Sequence, residues 1–181
     1  MTSETYQRTS QSLPGNAHDA RNFSHATVKR IPAATLIDCL SQVTDAPTKF
    51  SRQPLGTRAV EAPTTTGNYF LKTFGGSDRT SACACSESTE PTLSQALHML
   101  NGDSVHGKIV RGRIVASAIA AKKPTAEIID SIYLRSLSRK ATDEERQRLV
   151  ALVEKDEKTK TAALEDVFWA VLNSREFLFL K

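Results

Sequence analysis

From Pro91 to the C-terminus, apolar residues recur at three- and four-residue spacing, and each recurrent stretch is bounded by helix start and stop signals. Leu93, Ala96, Leu97 and Leu100 make one such stripe, opened by Pro91 in a first-turn position and closed by Asn101-Gly102, two residues that tolerate left-handed backbone. Val105, Ile109, Val110, Ile114, Val115 and Ile119 make the next, with Asp103 or Ser104 as its cap. Gly112 sits in the middle of this predicted helix and weakens it by about 1 kcal/mol relative to alanine. Pro124-Thr125 opens a third, carrying Ile128, Ile129, Ile132, Tyr133 and Leu137. Thr142-x-x-Glu145 has the form of a capping box, in which hydroxyl and carboxylate each satisfy an otherwise unpaired backbone N–H. It starts a helix with Leu149, Leu152 and Val153. A last helix from about Thr161 carries Leu164, Val167, Phe168, Val171 and Leu172, and Phe177 and Phe179 follow as a terminal apolar hook. A series of one-faced helices with short links can bury its stripes only by packing helix on helix in an antiparallel bundle.

The N-terminal half is less regular. Residues 1–26 are polar, carry a Pro14-Gly15 turn signal and lack apolar periodicity, so they read as a poorly ordered arm with Phe23 as a single anchor. Pro32 then opens a helix bearing Leu36, Ile37, Leu40 and Val43, which Asp45-Ala46-Pro47 ends because a residue before proline disfavours helical backbone. Residues 46–68 hold Pro47, Pro54, Gly56, Pro63 and Gly67 and form a long irregular connection. A short extended piece at Thr57–Glu61 is expected to pair with Tyr69-Phe70-Leu71. The expected fold is therefore mainly α: a small antiparallel helix bundle spanning residues 27–181 as one domain, with at most a minor two-stranded pairing.

With 39% hydrophobic and 24% charged residues, 181 residues suffice for one core of ordinary size. No apolar run is long enough for a membrane-spanning helix. The N-terminus lacks the basic start and apolar core of a secretory signal peptide. A net charge of +4 is compatible with an anionic partner without demanding one. Three cysteines allow at most one bridge and leave the redox compartment open.

The stretch from Tyr69 to Asp103 concentrates chemistry-bearing residues. Cys83-x-Cys85 can be read as a thiolate pair for a metal, a strained disulfide, or a loop packed by small side chains. Metal sites more often place two residues between such cysteines, because one makes a tight chelate. His98 and His106 are the nearest further ligands, but nothing in the spacing brings them together, so no metal site is assigned and Cys83, Cys85 and His98 stand only as candidates. Cys39, beside the first apolar stripe, reads as a small hydrophobe. No Cys-x-x-Cys-His, His-Glu-x-x-His, Gly-x-Ser-x-Gly or Walker-type loop occurs, so no catalytic residue and no cofactor is assigned. Lys108, Arg111, Arg113, Lys122 and Lys123 form a basic run without an interspersed acid. Its helical geometry suits a solvated helix side better than a groove reader, and no stacking platform of aromatics accompanies it, so nucleic acid is not expected as a partner. Glu154 to Lys160 mixes charge signs and reads as an exposed helix end and loop.

Several blocks resemble one known family. They are Asn22-Phe23-Ser24, Arg30-Ile31-Pro32-Ala33, Ser41-Gln42-Val43-Thr44, Gly56-Thr57-Arg58-Ala59, the run from Tyr69 through Cys83-x-Cys85 to Asn101-Gly102-Asp103, Ile132-Tyr133-Leu134-Arg135-x-Leu137-Ser138-Arg139, and Leu172-Asn173-Ser174-x-Glu176-Phe177-Leu178-Phe179. Together they resemble the PSD-one-type domain of unknown function found at the C-terminus of large planctomycete-type proteins, often downstream of a cytochrome-c-like domain. The chain departs from that pattern at Ala84, where the family carries an acidic residue between the two cysteines, and at Ser86 and Glu87, where it carries an acidic-basic pair. The resemblance implies a structural or interaction module without catalysis of its own, a fragment of an exported or periplasmic multidomain protein whose partners are its own upstream domains. It leaves as an alternative a composite redox or hydrolytic site formed by the Cys83–Asp103 loop with those domains.

Overall fold

The structure, a computed structural model, describes residues 4, 7–19, 21–26, 28–62, 68–74 and 103–180. The helix expected from Pro91, its Asn101-Gly102 stop and the candidate ligands Cys83, Cys85 and His98 lie outside the described residues.

Helix α1, Ala33–Thr44, buries Leu36, Ile37, Leu40 and Val43, the stripe its sequence spacing sets out. It ends one residue before the expected proline effect. Asp45 takes left-handed backbone at φ 56°, Ala46 N–H donates to the Ser41 carbonyl, and Asp45 N–H donates to that of Gln42. This is the Schellman arrangement, with aspartate in the place glycine usually fills.

Residues 57–62 and 69–73 do not pair as strands. Asp38 on α1 accepts from the backbone N–H groups of Ala59 and Val60 at 2.7 and 3.3 Å, which draws the first segment into turns against the helix. The second is a short helix, α2, Tyr69–Thr73, opened by the Asn68 side chain accepting from Leu71 N–H. Helical backbone places Phe70 and Phe74 one above the other, with ring centroids 4.3 Å apart, while Leu71 is also buried. A strand would have sent Phe70 and Leu71 to opposite faces. The minor pairing exists elsewhere: β1, Lys29–Arg30, runs antiparallel to β2, Phe179–Leu180. Ile31 N–H continues the ladder by donating to Leu178 O at 3.1 Å.

The single helix expected over 105–119 is two. Helix α3 is Asp103–Gly112 and α4 is Ile114–Ala120, with Arg113 between them in left-handed backbone at φ 55°. Val105 and Ile109 of α3 and Val115 of α4 are buried, but Val110, which lies off the Val105–Ile109 stripe on α3 itself, is 46% exposed. Helix α5, Thr125–Leu137, follows, and Ser138 closes it in left-handed backbone. Helix α6, Asp143–Val153, starts at the capping box: Thr142 Oγ1 accepts from Glu145 N–H and the Glu145 carboxylate accepts from Thr142 N–H. One 3-10 turn, Glu157–Thr159, leads into α7, Lys160–Leu172, and α8 is Arg175–Leu178. Lys155, Asp156 and Lys158 are exposed, as the mixed charge of that link implies.

Helix α7 is the centre of the packing, touching α3, α4, α5 and α6. Leu164, Phe168 and Leu172 on it have no exposed surface. Burying each such side chain stabilises the fold by about 1.5–3 kcal/mol before the cost of ordering it. Helix α1 packs on α2 and α3 at the other side. Phe177 is buried, Trp169 is half-buried against the core, and Phe23 in the N-terminal segment is 56% exposed, so it does not act as an anchor.

Candidate functional site

The α1–α2–α3 junction holds a cavity of about 490 Å³. Ile37 and Leu40 of α1 and Phe70 of α2 supply its apolar wall, and Tyr69, 70% exposed, stands on α2 beside Phe70. Lys49, Arg111 and Lys108 bring three cationic side chains to the same cavity, with Thr48 and Asn68 adding polar groups. Among the described lining residues there is no carboxylate.

Lys108 is the deepest of the three and corrects the reading of the basic run as one solvated helix side. It is 6% exposed. Val105, Lys108, Ile109 and Gly112 stand at positions i, i+3, i+4 and i+7 of α3, which is the spacing of the buried stripe. The ammonium donates to the Ala46 carbonyl at 2.5 Å and to Ser41 Oγ at 3.0 Å. Both acceptors lie at the C-terminal end of α1, where unpaired carbonyls and the helix dipole favour a cation. Ser41 Oγ in turn contacts Ile37 O at 2.7 Å and Thr48 Oγ1 at 3.0 Å, so the lysine heads a small polar network. Burial brings its pKa down from 10.5 to about 8; Arg111 adds to the fall and Asp38 opposes it. The Asp38 carboxylate is already engaged by Ala59 N–H, Val60 N–H and, at 3.8 Å, Arg58.

Arg111 is exposed, and its guanidinium lies over Gly107 one turn earlier, where a Cβ would be 3.9 Å from its terminal nitrogen. Arg113 and Lys122 are exposed outside the cavity, and Lys123 pairs with Glu127 at 3.0 Å. The basic run is thus split between a buried cation, a cavity rim and ordinary surface.

The remaining sequence candidates separate. Asp103 opens the helix that carries Lys108 and Arg111, while His106 on the same helix is exposed. Cys39 is half-buried, and burial together with the Asp38 charge pushes its thiol pKa up, which makes it a poor nucleophile. Among the described residues no three His, Cys, Asp or Glu side chains are grouped to hold a metal ion.

A second charged cluster ties the other end of the bundle. Arg139, in the α5–α6 link, donates to Glu145 of α6 at 2.9 and 3.1 Å and to Glu176 of α8 at 2.8 Å by two nitrogens, and its guanidinium carbon lies 5.3 Å from the Tyr133 ring centre. The Arg139 hydrogen bonds hold the Glu145 carboxyl at about 2, below its ordinary 4.5. Arg146 joins α6 to Asp130 of α5 at 3.2 Å and to the Ala141 carbonyl at 3.0 Å. A further cavity of about 710 Å³ lies where Ser10, Gln11 and Val28 face Arg175, Glu176 and Phe179. It carries both signs of charge.

Fold and site together define a mainly helical domain with one minor antiparallel strand pair and a cation-lined cavity. The chain belongs to the PSD1 family, proteins of unknown function (DUF1553), whose sequence model matches residues 1–153. No curated protein and no solved structure matches it. The family match ends at Val153, so α7, the helix on which the others pack, and β2, the partner of β1, lie beyond it.

Proposed function

We propose that the chain is a non-catalytic interaction module of a larger, exported planctomycete-type protein, acting with domains upstream of it. One observation carries this reading: among the described residues four basic side chains join one element to another. Arg139 links α6 and α8, Arg146 links α5 and α6, Arg135 reaches Val43 O of α1 at 3.1 Å, and Lys108 holds the end of α1. Groups used this way make a rigid scaffold, which suits a docking role. The chain also has no helix among its described residues long and apolar enough to cross a membrane. The test is to mix the purified chain with the separately produced upstream part of a family protein and measure association by calorimetry. A saturable one-to-one complex is expected, and absence of association refutes the reading.

The alternative, a composite redox or hydrolytic site, draws on one positional fact. In sequence, Cys83–Gly102 immediately precedes α3, the helix that supplies Lys108 and Arg111 to the cavity. It requires one tightly bound metal ion or a redox-active thiol pair per chain, lost on Cys83→Ser. Metal analysis and thiol titration of the two proteins decide between the readings.

A further inference from the structure

We propose that the cavity between α1, α2 and α3 binds a phosphate monoester carried on a small apolar body. This goes beyond docking on upstream domains and does not depend on it.

Three features of the cavity point to a doubly charged oxyanion. First, Lys49, Lys108 and Arg111 converge on it, and none has a carboxylate partner among the described residues. The Arg111 charge helps to lower the pKa of Lys108, so the two cations stand near each other. Like charges held together are a cost that Asp38, already engaged by Ala59 N–H, Val60 N–H and Arg58, relieves only in part, and an anion between them lowers it further. A dianion does so more fully than a monoanion.

Second, donors remain. An ammonium has three N–H groups, and two of those on Lys108 are used by Ser41 and Ala46. The Asn68 side-chain oxygen accepts from Leu71 N–H, which assigns the amide orientation and leaves its NH2 group as a donor on the cavity wall. Arg111 offers the planar fork that matches phosphate oxygens two at a time. Gly107 leaves the surface of α3 clear for that fork to lie on.

Third, the cavity is larger than the anion needs. Its volume of about 490 Å³ falls in the range of small-molecule sites, roughly 300–1,000 Å³. Ile37, Leu40 and Phe70 form a wall without charge, so the ligand's second part is apolar. Selectivity for a phosphate monoester over a carboxylate follows from the cation count, and preference over inorganic phosphate follows from that wall.

The test is isothermal calorimetry of the chain with phenyl phosphate, inorganic phosphate and benzoate, at two salt concentrations. Phenyl phosphate should bind with a Kd below about 1 mM, at least tenfold tighter than benzoate and severalfold tighter than inorganic phosphate, and should weaken as salt rises. Arg111→Gln and Lys49→Gln alter exposed side chains, so each should keep the thermal midpoint while weakening phenyl phosphate about tenfold or more. Absence of saturable binding to all three ligands overturns the proposal. So does equal binding by the wild type and both variants, or tighter binding of benzoate than of phenyl phosphate.

Discussion

Replacing Gly112 by alanine adds one methyl group where α3 meets the end of α1. A Cβ built there would lie 2.8 Å from the carbonyl carbon of Thr44 and closer still to its oxygen. Carbon atoms not bonded to each other settle at about 3.5–4.0 Å, so either helix must move by the order of an ångström. The obstacle is backbone, and Thr44 is fully buried with its hydroxyl bonded to Leu40 O, so no side chain can rotate aside. Alanine favours helix over glycine by about 1 kcal/mol, which acts in the opposite direction. Overpacking of a fixed contact typically costs about 1–3 kcal/mol and more where backbone must shift. The expected net effect is a loss of about 2–4 kcal/mol, which for a chain of 181 residues lowers the thermal midpoint by about 5–15 °C. Gly107→Ala is the control in the same helix. Its nearest neighbour is the flexible Arg111 guanidinium at 3.9 Å, so it should stabilise by about 0.5–1 kcal/mol. Differential scanning calorimetry of both variants decides. A Gly112→Ala midpoint equal to or above the wild type refutes the close approach, and an equal fall in both variants shows that the contact has no special cost.

Thr142→Ala removes one bond of the capping box and should lower stability by about 1 kcal/mol in denaturant unfolding. Glu145, held at about 2 by Arg139, binds fewer protons folded than unfolded, so its contribution is complete above about pH 5 and is lost as pH falls toward 2. With the side chain 34% exposed, solvent screening limits this to about 1 kcal/mol, and Glu145→Gln should flatten that part of the midpoint-versus-pH curve. Lys108 has the same sign of dependence in a higher pH window. Its folded value of about 8 lies below the ordinary 10.5, so the unfolded chain binds more protons across that window and stability rises with pH. Lys108→Met should remove a rise of up to about 2 kcal/mol between those pH values, seen as a smaller gain in midpoint than in the wild type.

The helices that the sequence makes plain are those whose signals are local. The stripe from Leu36 to Val43, the Thr142–Glu145 cap and the stripe from Leu164 to Leu172 each lie within a few turns of chain, and each appears where its spacing sets it. What local spacing cannot show is where two segments meet. Gly112, the last residue before the break, lies against the Thr44 carbonyl, which is far away in sequence. Tyr69–Thr73 is helical because Asn68 caps it and Phe70 stacks on Phe74, although its composition also suits a strand. The cavity depends on Lys108 meeting Ser41 and Ala46, which are 67 and 62 residues away. One local sign of it was present, since Lys108 falls on the same stripe as Val105 and Ile109. A lysine in a buried stripe is a question about its acceptors, and hydropathy alone does not answer it.

Lys29 faces Leu180 across β1 and β2, so their Cα atoms stand about 5 Å apart although nearly the whole chain lies between them. The fold is therefore close to a closed ring. A circularly permuted chain, begun at the exposed Pro124 after α4, run through Leu180, joined by a few glycines to Lys29 and ended at Lys123, would keep every described helix and would turn the strand pair into a hairpin. Any segment fused before Lys29 leaves the bundle from the same place as any segment fused after Leu180, so the domain can be lodged within a longer chain as a side branch without separating what lies on either side of it.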